Sequence, residues 1–148
     1  MNRKWVVNAS PLIALAKISH VSLLYDLCVE MIIPDGVAQE VNDGPVDDPA
    51  KSWLQGEGGR WIQVVGRVDA VIAAWDLGLG EGQVLSWAYT HPGYEAIVDD
   101  RAARNCALSL GIQFRGTLGV ILLAKREGRV PQVNPLFDQL IETGFRID

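Results

Sequence analysis

The sequence predicts an α/β protein built on a parallel sheet covered by helices on both faces. Two observations carry that expectation. Short apolar runs suited to strands alternate along the chain with segments of helical spacing, and parallel neighbours are joined by right-handed crossovers that lay the helices on the sheet faces. The change of period is sharpest in EAIVDDRAARNCALSLGI, residues 95–112. There Ala96, Ile97 and Val98 read as a buried strand, whereas Ala102, Ala103, Cys106, Ala107 and Leu110 recur at helical spacing, so the period changes at Asp99 and Asp100. Both acids therefore stand at a strand's carboxyl end, the edge where open α/β sheets bind ligands at the point of reversed strand order. An aspartate ahead of a helix is also a preferred N-cap, so only further acids converging on the same edge turn these two into a site.

Taken in order, Lys4 to Val7 reads as the first strand and Asn8 ends it. Ser10 is placed to cap the next helix, with Pro11 in its first turn, where the missing N–H costs nothing and the fixed φ is already helical. A short helix, Val21 to Asp26, leads to a second strand, Val29 to Ile33, stopped by Pro34. Asp35 to Val41 is helical, with Val37 and Val41 on one face and Glu40 a turn in, able to project toward the sheet edge. Residues 42–60 are rich in Asp, Gly and Pro and hold one short helix, Pro49 to Gln55. Trp61 to Val65 alternates as a strand, a pattern that an edge position or an extended connection also gives. Val68 to Leu77 has helical spacing, and Gly78 to Gly82 breaks it and opens a helix from Gln83 to Tyr89 with Glu81 at its start. Ile112 to Arg115 is a strand, and Gly116 to Gly119 opens a helix from Val120 to Glu127, ended by Gly128. Pro131 to Gly144 carries Leu136, Leu140 and Ile141 at helical spacing, leaving Phe145 to Ile147 as a tail strand at an edge.

The 148 residues fit one domain, 1–148, and 49% hydrophobic content suffices for a real core. No apolar run approaches the ~20 residues of a membrane helix. Trp5-Val6-Val7 is interrupted at once by Asn8, unlike a signal peptide, so a cytoplasmic protein without membrane contact is expected. Cys28 and Cys106 lie in apolar surroundings with no nearby His, which argues against both a zinc site and a disulfide framework. The net charge of −5 argues against broad nonspecific nucleic-acid binding. A metal-binding acid cluster would itself supply negative charge that the metal neutralises, so the total leaves the partner open.

In a parallel sheet all strand carboxyl ends share one edge. Asn8 and Asp100 then stand on one rim, with Glu40 and Glu81 on helices that reach it. Four oxygen-bearing side chains without His or Cys favour a hard cation, Mg2+ or Mn2+, over zinc. Singly, Glu40 reads as a solvated helix residue and Glu81 as a favourable charge at a helix N-terminus. As a set they favour a metal site.

The segments VVNASPLIAL, IIPDGVAQEV, LGLGEGQVLSWA, IVDDRAARNCALSLGI and RGTLGVILLAKREG occur in this order. Over nearly its whole length the chain resembles the PIN-domain superfamily, and within it the DUF3368-type proteins related to VapC toxins. The resemblance implies a three-layer α/β/α PIN-like fold and a divalent-metal-dependent endoribonuclease, with Mg2+ or Mn2+ as cofactor. It further implies a toxin paired with a small cognate antitoxin protein. Position by position, the family's first acid falls on Asn8, the helical acid on Glu40, the third on Glu81 and the acid after the fourth strand on Asp100, with Asp99 assisting. Ser10 matches a hydroxyl near the metal, and Thr117 the small polar residue of the Gly-Thr junction. The departure is Asn8, where most nuclease members have Asp. An amide oxygen still coordinates but lacks the charge that strengthens divalent binding.

Metal ions so held would activate water for attack on a phosphodiester and stabilise charge developing on the phosphate. Arg101, Arg104 and Arg115, with Lys125, Arg126 and Arg129, are candidates for RNA phosphate contacts, against the reading of a solvated helix face. Trp53, Trp75 and Trp87 offer stacking surfaces or, on helices, core and dimer contacts; a homodimer or higher homo-oligomer is expected. The competing class is a catalytically weak or inactive module that binds RNA or an antitoxin. A response-regulator-like phosphoacceptor also uses acids at a parallel-sheet edge, but the Gly-Glu-Gly helix start and the lack of a lysine after the final strand count against it.

Overall fold

The computed structural model describes residues 2–146. Five strands, β1 (Lys4–Val7), β2 (Glu30–Pro34), β3 (Ile62–Gln63), β4 (Tyr94–Ile97) and β5 (Phe114–Arg115), form one sheet in the order β3-β2-β1-β4-β5 with every pairing parallel. The helices flanking it are α1 (Ala9–Lys17), α2 (Ser22–Asp26), α3 (Asp35–Asn42), α4 (Pro49–Gln55), α5 (Ala70–Ala73), α6 (Leu79–Thr90), α7 (Arg101–Ser109), α8 (Thr117–Arg126) and α9 (Asn134–Glu142). Helices α1, α3 and α4 pack on one another, α5 and α7 each pack on α6, and α6 lies against β1, β2 and β4.

Burial on both faces explains why the central strands read as continuous apolar runs rather than alternating ones. Trp5, Val6, Val7, Ile33, Ala96, Ile97 and Val98 are all fully buried and belong to one contiguous core. The chain builds outward from β1 through β2 to β3, then returns to place β4 on the other side of β1 and β5 beyond it. The order therefore reverses between β1 and β4. Their register pairs Val7 with Ile97, so Asn8 and the Val98-Asp99-Asp100 turn emerge side by side at that point. The Asn8 backbone N–H donates to the Ile97 carbonyl at 3.0 Å, which extends the ladder to the rim.

Gln83 locks the approach of α3 to α6. It is 1% exposed, accepts from the Gly36 N–H at 2.7 Å through Oε1 and donates from Nε2 to the Gly66 carbonyl at 2.9 Å. A Cβ at Gly36 would stand 2.5 Å from that Oε1, and a Cβ at Gly80 would stand 3.2 Å from Val37, so glycines let the two helices meet. Gln83→Leu keeps the volume but strands the buried Gly36 N–H, and should destabilise the protein by about 2 kcal/mol in denaturant unfolding.

Several sequence expectations change. The helix expected over residues 68–77 contracts to α5, capped by Asp69 on the Val71 N–H at 3.1 Å and ended before Asp76, whose φ of 54° is left-handed. The strand expected from Trp61 is only β3, because Trp61 closes a 3-10 turn, Glu57–Trp61. Ser10 does not cap α1: Asn8 is the N-cap residue, and Ser10 lies inside the helix with its hydroxyl turned elsewhere. Phe145 and Arg146 do not form a strand. Gly144, at φ 96°, turns the chain so that the Phe145 N–H bonds back to Leu140, a helix-terminating turn that only local geometry at α9 decides. Ile147, the last residue of that expected strand, lies outside the described residues. Helices α6 and α8 begin earlier than their apolar periodicity indicates, at Leu79 and Thr117. Among the described residues, no helix is long and apolar enough to cross a membrane.

Candidate active site

At the reversal point a cleft of about 470 Å3 is lined by Asn8, Ser10, Glu40, Glu81, Asp99 and Asp100, together with Gly78 and the turn Gly144–Arg146. The six polar residues come from the ends of β1 and β4 and from α1, α3 and α6, so elements far apart in sequence supply one rim.

Asp99 and Asp100 are adjacent but do different things. The Asp99 carboxylate accepts three hydrogen bonds: from the Thr117 N–H at 2.7 Å, the Thr117 hydroxyl at 2.6 Å and the Ser10 hydroxyl at 3.1 Å. Thr117 is 0% exposed, and Gly116 allows the approach, since a Cβ there would lie 3.0 Å from Asp99 Oδ1. Asp99 thus ties the end of β4 to the starts of α1 and α8. Asp100 is the N-cap of α7, accepting from the Ala103 N–H at 3.2 Å, so the capping reading holds together with its place in the cleft.

Glu81 lies in the first turn of α6 and faces Glu40 and Asp100. Burial pushes its carboxyl above the ordinary range, and the negative charges of Asp100 and Glu40 push it further. A raised folded value means that stability is full below the ordinary value of 4.5 and is lost as pH rises through the raised one. In metal-free protein Glu81→Gln should therefore raise the melting temperature at neutral pH, and the gain should vanish below pH 4.5. A gain that persisted in acid would contradict an electrostatic origin.

Asn8 is 4% exposed and its Oδ1 is buried with no hydrogen-bond partner. An orphaned buried acceptor ordinarily costs about 1–3 kcal/mol, and a cation beside it would satisfy it. The donor set of this cleft is all oxygen, which fits Mg2+ or Mn2+. Among the described residues, no three His, Cys, Asp or Glu side chains gather closely enough to cage an ion alone. The carboxylates spread around an open cleft, which suits Mg2+, an ion that keeps several waters and takes few protein ligands.

The basic residues divide. Arg115 donates to Glu95 at 3.2 Å, and the same Glu95 oxygen accepts from Trp5 Nε1 at 2.9 Å. Arg101 is exposed at the start of α7, and Arg104 is half-buried and lines a small cavity beside the acids with Asp99, Phe145 and Arg146. Lys125, Arg126 and Arg129 lie exposed at and beyond the end of α8. Of the tryptophans, Trp53 stacks with Tyr25 and Trp61, Trp87 stacks on His91 at 3.6 Å, and Trp75 is 38% exposed; none lines the acid cleft. Phe145 and Arg146 are cleft-side residues that periodicity missed. The one signal was Gly144, a helix-stop glycine that turns the next residues back.

A parallel sheet flanked by helices, with acids gathered where its strand order reverses, defines an α/β protein of the PIN-like class. The chain belongs to the DUF3368 family, described as a PIN domain, which matches residues 4–148. A PIN domain suggests a nuclease-type function and RNA binding, and PIN domains generally use divalent metals. No curated protein and no solved structure matches the chain.

Proposed function

We propose that this protein is a divalent-metal-dependent endoribonuclease that hydrolyses RNA phosphodiesters, with Asn8, Glu40, Glu81 and Asp100 as the side chains that would hold Mg2+ or Mn2+, in part through the ion's own waters because the three carboxylates do not by themselves close around one point. The observation that carries the reading is the unpartnered, buried Asn8 Oδ1 in a cleft that also holds the carboxylates of Glu40, Glu81, Asp99 and Asp100. A bound divalent ion supplies an activated water and charge stabilisation on the phosphate. Asp99, held by Thr117 and Ser10, fixes the turn that aims Asp100. Gly80 lets α6 approach α3, so Glu81 and Glu40 reach one cleft; a Cβ at Gly80 would lie 3.3 Å from Glu40 Oε1. The test is cleavage of labelled single-stranded RNA with Mn2+, with Mg2+ and with chelator, alongside calorimetric titration of the metal. Metal-independent cleavage, or no heat of binding, would overturn the assignment.

The fuller reading is a VapC-like toxin of a toxin–antitoxin pair, acting in the cytoplasm as a homo-oligomer. Two free, buried cysteines suit a reducing compartment, and exposed Val64, Val71, Trp75 and Leu79 offer apolar contact surface. Sedimentation of the protein expressed with its neighbouring reading frame tests this. A monomer with no copurifying partner would count against it.

Asn8→Asp separates this nuclease from the inactive-module alternative. The change hardly alters volume and adds a negative charge beside the cation, and ligand charge is a main control on hard-cation affinity. Calorimetry should read roughly tenfold tighter Mn2+ binding, with faster RNA cleavage. Without metal the variant should be less stable by on the order of 1–2 kcal/mol, since it buries another carboxylate among acids. Unchanged metal affinity would place residue 8 away from the ion.

A further inference from the structure

Phe145 lines three adjoining cavities. One, of about 260 Å3, also takes in Ser10, Glu40 and Lys17; the second is the acid cleft; the third, of about 130 Å3, is walled by Asp99, Arg104, Gly119 and Arg146. Neighbours share side chains: Ser10 and Glu40 join the first to the acid cleft, and Asp99 and Arg146 join the acid cleft to the third. Lys17 and Arg104 thus stand at the two ends of a run whose middle holds four carboxylates and one cation, Arg146. Among the described residues the ion pairs are Arg3–Glu127, Lys4–Glu30 and Arg115–Glu95, so neither Lys17 nor Arg104 is spent on a carboxylate.

Resting on the nuclease reading, we propose that the three cavities form one groove for a single strand of RNA, with Lys17 and Arg104 holding phosphates on opposite sides of the acids and Phe145 stacking a base between them. Phe145 packs one side on the core and is half-buried, and the part of the ring left at the junction can stack only on a base free of a duplex, a contact that accepts any base. An overall charge of −5 is unsuited to coating a duplex, whereas isolated cations at the groove ends suit a few phosphates. The groove therefore selects by strand length and single-strandedness, and the flanking phosphates set which bond lies over the acids.

Fluorescence anisotropy on Asp100→Asn protein with Mn2+, using labelled oligoribonucleotides from two to twelve nucleotides, tests it. Affinity should climb with length until both ends are engaged. Lys17→Gln and Arg104→Gln should each weaken binding of the longest strand about tenfold and reduce the salt slope by about one, and Phe145→Ala should weaken it at least as much. Arg67→Gln, at an exposed position outside the three cavities, controls for loss of charge alone and should change little. Length-independent affinity, an Arg67→Gln effect equal to that of Lys17→Gln, or preference for duplex RNA or for an acidic peptide would overturn the proposal. Length-dependent binding lost in the end variants, with no cleavage by the unmodified protein, would keep the groove and remove the nuclease. Metal-dependent cleavage with the end variants unaffected would do the reverse.

Discussion

Asp100→Asn is expected to lower Mn2+-dependent cleavage of single-stranded RNA by at least about 100-fold while leaving the melting temperature within about 2 °C of the unmodified protein. The two halves follow from the two roles of the side chain. Asparagine caps a helix about as well as aspartate, so the bond to the Ala103 N–H and the start of α7 are retained. The negative charge in the cleft is lost, and disturbing even the outer partners of a metal ligand typically costs 10–100-fold, so a direct ligand should lie at or above the top of that range. Asp100→Ala would confuse the two effects, because the lost cap alone costs about 1 kcal/mol. Steady-state kinetics with a thermal melt of the same preparation decides the matter. Full activity in the Asn variant would assign Asp100 to capping alone.

Asp99→Ala is expected to be the most destabilising single change at the rim, by about 3–5 kcal/mol, or roughly 10 °C in melting temperature for a chain of this length. Three donors converge on that carboxylate, and two of them, the N–H and hydroxyl of fully buried Thr117, have no water to turn to when it is removed. Bonds to a charged acceptor contribute about 1.5–3 kcal/mol each, and stranded buried donors add their own desolvation cost. Asp99→Asn separates charge from shape: with its carbonyl on the Thr117 N–H, its amide donates to the Thr117 and Ser10 hydroxyls, which can accept, so it should recover more than half of the loss. Denaturant unfolding measures both. A loss below 1 kcal/mol in Asp99→Ala would mean that Asp99 does not join β4 to α1 and α8.

The strands were legible because a sheet buried on both faces needs unbroken apolar runs, and Trp5-Val6-Val7, Met31-Ile32-Ile33 and Ala96-Ile97-Val98 supply them. The rim acids were legible for a related reason: a carboxylate directly after such a run has only the sheet edge to occupy. Asn8, Glu40, Glu81, Asp99 and Asp100 do line one cleft. Ser10 was assigned the wrong bond, because a cap and a tertiary partner are both available to a hydroxyl near a helix start and only the position of Asp99 decides between them. Within 61–77 the edge strand and the helix were read too long, and 145–146 were misread as a strand, because a short apolar pattern fits strand, helix and turn equally well and backbone dihedrals at Asp76 and Gly144 settle the outcome.

By itself the sequence determined the α/β class, the parallel sheet and the placing of oxygen donors at strand ends and helix starts, since these follow from local period and from the backbone's need for partners. Only the tertiary structure decided that β1 and β4 are neighbours at the reversal of strand order, that Asp99 is spent on Thr117 and Ser10 while Asp100 faces the cleft, and that Phe145 bridges three cavities. Each of these depends on residues tens of positions apart meeting at one edge, a matter of strand order and helix packing that no local pattern encodes.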